Sequence, residues 1–119
     1  IEKLRYVSII IFMNIKTQLK ALNNDTRLKI LEWLKTPDEN FPPHYESGLS
    51  FDVGVCVAFI QDKAGISQST TSQYMSLLRQ AGFVVATRIG KWTYYRRDEE
   101  KIAKFMQELG GLITLSNED

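Results

Sequence analysis

Neutral polar side chains between Gly65 and Gly82, in the stretch GISQSTTSQYMSLLRQAG, have the types and spacing that suit base recognition. Ser67 can cap a helix by accepting a backbone N–H, and about four turns without Pro or Gly follow it. With residues 100° apart, this helix has an apolar face and an opposite face of hydroxyls and amides. The apolar face comprises Thr71, Met75, Leu78 and Gly82, and the outer face comprises Ser69, Gln73, Ser76 and Gln80.

The outer face of this helix has no charge, whereas an ordinary solvated face carries Glu and Lys. In the major groove of DNA, Gln pairs bidentately with adenine, and Ser or Thr bonds to either base type. The plainer alternative is a polar helix that merely lacks charge. Taken alone, the pattern leaves both interpretations open.

The segment after the helix, FVVATRIGKWTYYRR, contains two β-rich runs around Gly90 and Lys91. It predicts a hairpin with a basic tip. Arg88 and Lys91 flank that tip, where long cationic side chains can reach phosphate. A helix followed by a basic hairpin is typical of a winged helix-turn-helix.

Positive charge is concentrated in the same part of the chain, although the formal net charge of the whole sequence is only +1. Residues 63–97 contain six basic side chains and no Asp or Glu. A local cationic surface of this kind indicates phosphate binding. The six residues are Lys63, Arg79, Arg88, Lys91, Arg96 and Arg97.

The composition argues for one soluble domain and against several other classes. The 119 residues are 44% hydrophobic and 24% charged, as in ordinary globular proteins. The apolar run from Val7 to Met13 is far shorter than the roughly 20 residues that span a bilayer, so we expect no membrane association. A single cysteine, Cys56, excludes an internal disulfide and favours a reducing, cytoplasmic location.

Enzymatic chemistry has no visible basis in the sequence. There is no Ser/His/Asp set, no phosphate-binding glycine loop and no carboxylate cluster. One histidine, His44, and one cysteine are too few for a tight transition-metal site. We therefore expect no catalytic residues, no metal and no cofactor.

Four further helices are predicted to surround the recognition helix. The first three cover residues 14–22, 26–35 and 55–63, and the helix at 55–63 would be the first helix of the helix-turn-helix. The fourth is the final helix, which begins at Asp98, Glu99 and Glu100. In the last helix Ile102, Phe105, Met106 and Leu109 form an apolar stripe that needs a partner. Leu112, Ile113 and Leu115 continue it beyond Gly110-Gly111.

An irregular segment at 36–54 separates the second and third helices and is punctuated by Pro and Gly. Loops of this length are uncommon in a small domain and often have a role. Its aromatic residues, Phe41, Tyr45 and Phe51, predict that it packs on the domain. We assign His44 a structural or surface role and Cys56 the role of a small buried hydrophobe.

Three segments together resemble the ArsR/SmtB family of winged-helix repressors. They are ALNNDTRLKILEWL at 21–34, GISQSTTSQYMSLLRQAGFV at 65–84 and RIGKWTYYRR at 88–97. The resemblance implies a mainly α fold with a small β-hairpin wing, a DNA operator, repression relieved by a signal, and a homodimer built from the first and last helices. The predicted DNA-binding residues are Gln68, Ser69, Thr70, Ser72, Gln73, Arg79, Arg88 and Lys91, and the predicted dimer residues are Ile15, Leu19, Ile102, Phe105, Met106 and Leu109.

The division that follows places a winged helix-turn-helix domain at 14–109 with an insertion at 36–54. Residues 1–13 are then an N-terminal extension, either non-native or covering the dimer, and 110–119 a C-terminal tail. The sequence departs from the family's metal sensors, because the Cys-x-Cys register reads Cys56-Val57-Ala58 and the last helix has no His. The inducer is thus not indicated. The alternative function is a winged helix that binds a protein partner instead of DNA.

Overall fold

The structure is a computed structural model that describes residues 2–115, and within them the protein is mainly helical with one small antiparallel sheet. Residue 1 and residues 116–119, which fall in the predicted extension and tail, lie outside the described residues. The sheet has the strand order β1-β3-β2. The elements are α1 (Glu2–Leu22), α2 (Asp25–Lys35), α3 (Pro37–Asn40), a 3-10 turn (Phe51–Val53), β1 (Val55–Cys56), α4 (Val57–Ala64), α5 (Gln68–Gln80), β2 (Val84–Ile89), β3 (Trp92–Arg97) and α6 (Glu99–Ile113).

Helix α1 is continuous from Glu2 to Leu22, whereas the sequence predicted a short helix that begins at Asn14. No Pro or Gly interrupts residues 2–22, so the backbone hydrogen bonds propagate through the whole stretch. Asn24 then caps α2 by accepting the N–H of Arg27 at 2.9 Å. The residues we assigned to an N-terminal extension are therefore part of the first helix.

The segment at 36–54 packs against the domain through part of its aromatic content. Phe41 is buried and Phe51 is half-buried, but Tyr45 is 84% exposed, so our expectation of packing was wrong for that ring. Gly54 closes the segment with φ of 119°, and a Cβ there would lie 2.7 Å from the Tyr95 backbone. Only glycine allows this close approach of the two backbones.

Residues 55 and 56 form a strand, where the sequence predicted the start of the third helix. Val55 and Cys56 pair with Tyr95 and Tyr94 of β3, and α4 begins only at Val57. These two residues lie beside β3, and the Cys56 N–H donates to His44 Nε2 at 3.1 Å. The short strand thereby joins the end of the insertion to the wing.

Helices α4 and α5 form the predicted helix-turn-helix. Gly65 ends α4 in the left-handed conformation, with φ of 66°, and Ser67 caps α5 by accepting the N–H of Thr70 at 3.1 Å. The hairpin of β2 and β3 follows, with Gly90 at its tip. The winged helix-turn-helix predicted from the sequence is confirmed.

The core lies between α2, α4, α5, the wing and α6, and its side chains are almost fully buried. Phe83 and Phe105 meet edge to face at 5.2 Å, which holds α6 against the end of α5. Asp98 caps α6 as predicted, and the helix runs through Gly110 and Gly111, so residues 110–113 are helical and not a tail. The most deeply buried side chains include Ile30, Ile60, Met75 and Leu78.

Two helices also leave large apolar side chains at the surface. On α1 most of the first half is exposed, and on α6 one residue of the apolar stripe, Met106, and two residues beyond it are exposed. No helix within residues 2–115 is long and apolar enough to cross a membrane. The exposed residues are Leu4, Tyr6, Val7, Ile9, Ile10, Phe12, Met13 and Leu19 on α1 and Met106, Leu112 and Ile113 on α6.

Candidate nucleic-acid interface

The two faces of α5 divide as their spacing predicted. Thr71, Met75 and Leu78 are buried in the core, and the Thr71 hydroxyl donates to the Ser67 carbonyl at 2.8 Å. The opposite face presents its amides and hydroxyls to solvent, at Gln68, Ser69, Ser72 and Gln73. Burial of one face therefore fixes which side chains of α5 are available to a ligand.

Thr70 differs from the other residues predicted to bind DNA. It is half-buried, and its hydroxyl accepts a hydrogen bond from Ser67 Oγ at 2.9 Å. Ser69 Oγ lies 3.3 Å from the same Ser67 oxygen. The first turn of α5 is thus held by a small hydroxyl network, in which Thr70 supports the helix start and has less surface to offer.

The wing carries its cations at the exposed tip. Arg88 Nε donates to the Gly90 carbonyl at 3.1 Å, and Lys91 Nζ lies 5.5 Å from the centroid of the Trp92 ring. Both side chains are exposed. These local contacts orient the two cations beside the turn without neutralising either charge.

Arg79 lies in the last turn of α5, near the wing. It lies seven residues after Ser72, so two helical turns bring it to the same side of α5. Burial raises the pKa of Tyr95 on β3, and the nearby positive charge of Arg79 acts in the opposite direction. Arg79 therefore adds exposed positive charge between the neutral face and the hairpin.

Two of the six cations between residues 63 and 97 contact residues outside the helix-turn-helix and the wing. Arg97 bonds to both carboxylate oxygens of Glu99, at 2.7 and 3.0 Å, and to the Leu31 carbonyl at 3.1 Å. Lys63 Nζ lies 5.1 Å from the centroid of the Trp33 ring. The sequence count of six thus overstates the cations free to meet phosphate.

Arg96 is exposed on β3 and was not among the residues we predicted to bind DNA. Successive side chains of a strand point to opposite faces, so Arg96 and Arg97 separate to opposite sides of the wing. That alternation was visible in the sequence and identifies Arg96 as the outward member of the pair.

The predicted dimer residues fall into two groups. Ile15 and Phe105 are only 2% and 3% exposed, because both pack into the core of this chain. They therefore offer little surface to a second chain. For these two residues, the apolar spacing reflects packing within the chain and not a dimer contact. Ile102 and Leu109 are half-buried, whereas Leu19 and Met106 are 42% and 58% exposed.

His44 and Cys56 lie on separate elements but meet in space, which the sequence did not indicate. His44 Nε2 accepts the backbone N–H of Cys56 at 3.1 Å, and Cys56 itself is buried. Within residues 2–115, no three His, Cys, Asp or Glu side chains cluster in a way that would hold a metal ion. Absence of a metal site remains a prediction.

Two helices joined by a tight turn, followed by a hairpin with a cationic tip, define a winged helix-turn-helix domain. Known proteins of this class resemble the chain, although no family model matches it. The HTH-type transcriptional regulator YbzH of Bacillus subtilis is 55% identical over 86 residues, covering 71% of this chain and 84% of that protein. ArsR2 of Halobacterium salinarum, assigned as an arsenical resistance operon repressor, is 33% identical over 95 residues, covering 78% and 68%.

Solved structures share the fold at lower identity. The winged helix-turn-helix DNA-binding domain of Mb0332 from Mycobacterium bovis, a homodimer, superposes with a TM-score of 0.61. That match covers 93% of this chain and 90% of the other at 23% identity. On the sequence identities to its relatives, the chain belongs to the ArsR/SmtB family of winged helix-turn-helix transcriptional regulators.

Proposed function

We propose that this chain is a repressor that binds a near-palindromic DNA operator as a homodimer. The observation that carries the proposal is the exposed, uncharged face of α5 beside the exposed cations Arg79, Arg88 and Lys91. Neutral donors and acceptors can approach base edges, whereas the cations meet the phosphates on either side. A bacterial or archaeal DNA partner also implies a cytoplasmic location.

In this proposal, α5 enters the major groove with Gln68, Ser69, Ser72 and Gln73 nearest to the bases. Residues near the N-terminus of a recognition helix make most base contacts in this class. The wing of β2 and β3 contacts the backbone or the adjacent minor groove through Arg88 and Lys91. Arg79 contacts phosphate from the far end of α5.

The dimer would use the exposed apolar side chains of α1 and α6. Large apolar side chains are exposed around most of the first half of α1, and others are exposed on α6, which is unusual for a monomer and indicates an interface. Leu19 and Met106 belong to the predicted set and remain accessible, and the first half of α1 extends the same kind of surface. In this proposal, residues 2–13 form the N-terminal part of α1 and contribute to the dimer interface. The winged helix-turn-helix domain itself spans residues 14–109.

Selection from a pool of duplex DNA with a randomised segment tests the proposal and requires no assumption about the operator sequence. We expect the full chain to enrich an inverted repeat whose half-sites are one helical turn, about 10 base pairs, or a multiple of it apart. The control replaces Ser69, Ser72 and Gln73 by Ala and leaves every cation in place. It should still bind DNA but enrich no sequence.

The other outcomes of the selection are equally informative. If the unmodified chain retains no duplex at moderate salt, DNA binding is refuted and the protein-interaction function takes its place. If it enriches a sequence without an inverted repeat, the homodimeric operator is refuted. Repression itself is tested by placing the selected sequence beside a reporter promoter, where expression should fall when the chain is present.

A further inference from the structure

A cavity of about 600 Å³ lies where the 36–54 insertion meets α4 and the wing. Its volume is within the range of about 300–1,000 Å³ that is typical of small-molecule sites. None of its lining residues belongs to α5, and on the wing side it is bounded by Trp92 and Tyr94 of β3. The lining includes His44, Glu46, Ala58, Phe59, Trp92 and Tyr94.

His44 holds the walls of this cavity together. Its Nδ1 lies 3.0 Å from the Leu49 carbonyl, which can only accept, so Nδ1 is the donor in this hydrogen bond. Its Nε2 accepts from the N–H of Cys56 in β1, immediately before α4. The ring also packs against the rings of Phe59 and Tyr94, with centroid distances of 5.0 and 5.2 Å.

The lining determines which chemistry the cavity can accept. Several aromatic rings, two prolines and a half-buried Ala58 provide mainly apolar surface. Glu46 is the one charged side chain of the lining, and no Lys or Arg contributes to it, so an anion would meet no counter-charge. The Glu46 side chain is exposed, so its carboxylate stays in water and adds little to the binding of a cation. An uncharged aromatic molecule fits best.

We propose that this cavity is an effector site for an uncharged aromatic small molecule, and that occupancy lowers the affinity of the protein for DNA. The second half of this inference rests on the proposed function. Ala58 and Phe59 belong to α4, the first helix of the helix-turn-helix, whereas Trp92 and Tyr94 belong to the wing. A ligand wedged between α4 and β3 alters the relative position of the two elements that must contact DNA together.

N-phenyl-1-naphthylamine, an uncharged aromatic dye that brightens in apolar sites, tests the binding half on the protein alone. We expect saturable binding to the unmodified chain. Ala58→Phe fills the cavity from a half-buried position and should raise the dye dissociation constant at least tenfold. Ala64→Phe makes the same change at the other end of α4, outside the lining, and should alter that constant less than twofold.

Trp92→Ala provides a second variant at an exposed wing position, in case Ala58→Phe impairs folding as judged by circular dichroism. It removes an aromatic wall and should also weaken dye binding. Absence of saturable binding to the unmodified chain overturns the proposal. Binding that neither Ala58→Phe nor Trp92→Ala reduces also overturns it, because the dye would then occupy another apolar surface, such as the exposed side chains of α1.

The coupling half is measured on the complex with DNA obtained by selection. Saturating dye should lower DNA affinity by about 5- to 150-fold, and DNA must lower dye affinity by the same factor, since coupling is reciprocal. Dye binding that leaves DNA affinity unchanged overturns the effector role. Failure of the unmodified chain to bind any duplex in the absence of dye refutes the proposed function instead, and leaves the dye measurements to decide the cavity.

Discussion

Individual side chains at the proposed interface divide by the part of DNA that each can reach. Gln73 lies at the centre of the exposed, uncharged face of α5, and Lys91 lies beside the tip of the wing. An amide distinguishes bases by paired hydrogen bonds, whereas an ammonium group meets phosphate regardless of sequence. Loss of each side chain should therefore affect DNA binding in a different way.

Gln73→Ala should weaken binding to the preferred operator by roughly 1–3 kcal/mol per half-site, because alanine cannot form the bidentate pair with a base. Binding to scrambled duplexes and the salt dependence should stay the same. Anisotropy titrations against both duplexes measure the effect. Gln80→Ala, at the C-terminal end of the same helix, is the matched control and should preserve discrimination. Equal discrimination by Gln73→Ala and the parent would show that Gln73 reads no base.

Lys91→Ala should weaken binding to all duplexes alike. The slope of log affinity against log salt should become shallower by about 1 for each phosphate that the protein no longer neutralises. Titrations at several salt concentrations measure it. Lys29→Ala removes the same charge from an exposed position on α2 and should leave the slope unchanged. A uniform loss of affinity with an unaltered slope would contradict a phosphate contact by Lys91.

His44→Phe keeps an aromatic ring among Phe51, Phe59 and Tyr94 but removes both hydrogen bonds of the imidazole. The Cys56 N–H and the Leu49 carbonyl then lose their partner, so the free energy of unfolding should fall by about 1–3 kcal/mol. Urea denaturation measures the loss. Tyr45→Phe, a change at the exposed neighbouring residue, should have no effect. An unchanged midpoint for His44→Phe would mean that water replaces the imidazole.

At the scale of elements, Arg97 ties the end of β3 to both α2 and α6. Its guanidinium bonds to the Leu31 carbonyl of α2 and to both oxygens of Glu99 in the first turn of α6. The hydrogen bonds from Arg97 lower the pKa of Glu99 from its usual 4.5, and burial acts in the opposite direction. The folded state therefore prefers the ionised carboxylate.

Glu99→Gln should lower the free energy of unfolding at pH 7 by no more than about 1 kcal/mol, since Glu99 is largely exposed. The pKa of Glu99 is lower in the folded than in the unfolded state, so its contribution is complete above the unfolded value. It is lost as the pH falls below 4.5 through the folded pKa. Thermal unfolding should thus show a larger difference between Glu99→Gln and the parent at pH 7 than near pH 3.

Glu100→Gln is the matched control for the ion pair. It removes the same charge from the same helical turn, and therefore the same interaction with the helix dipole, but has no Arg97 contact. A loss at pH 7 that is equal in the two variants would attribute the effect to the dipole instead of to Arg97.

At the scale of the whole molecule, the exposed apolar side chains of α1 and α6 require a partner, and we expect a homodimer at micromolar concentration. Met106→Glu places a carboxylate on that surface at a position 58% exposed in the single chain, so the core is spared. The dimer dissociation constant should rise at least tenfold, because burying an unpaired charge is costly. Sedimentation equilibrium measures it.

Gln107→Glu introduces the same side chain at the next position of α6, which lies well away from the apolar stripe. It should leave the dimer dissociation constant within about twofold, because its carboxylate stays in water. A monomer at micromolar concentration for the unmodified chain would refute the dimer. It would also remove the reason for an inverted repeat in the operator.

The sequence alone determined those features that depend on local periodicity and local chemistry. Caps at Ser67 and Asp98, the two faces of α5 and the hairpin around Gly90 all follow from residues close together in the chain. Such features need no distant partner to specify them. The arrangement of neutral helix face and cationic wing was therefore predictable.

Tertiary structure decided the features in which distant residues compete for the same groups. Val55 and Cys56 form a strand because they pair with β3. Arg97 does not contribute to the cationic surface because its guanidinium bonds to Glu99 and to the Leu31 carbonyl. The apolar stripe of α6 indicated which face of the helix is buried. It could not show whether Phe105 is buried in the core of its own chain, as the structure has it, or in a dimer interface. The cavity around His44 is formed by three segments distant in sequence, and only their packing creates it.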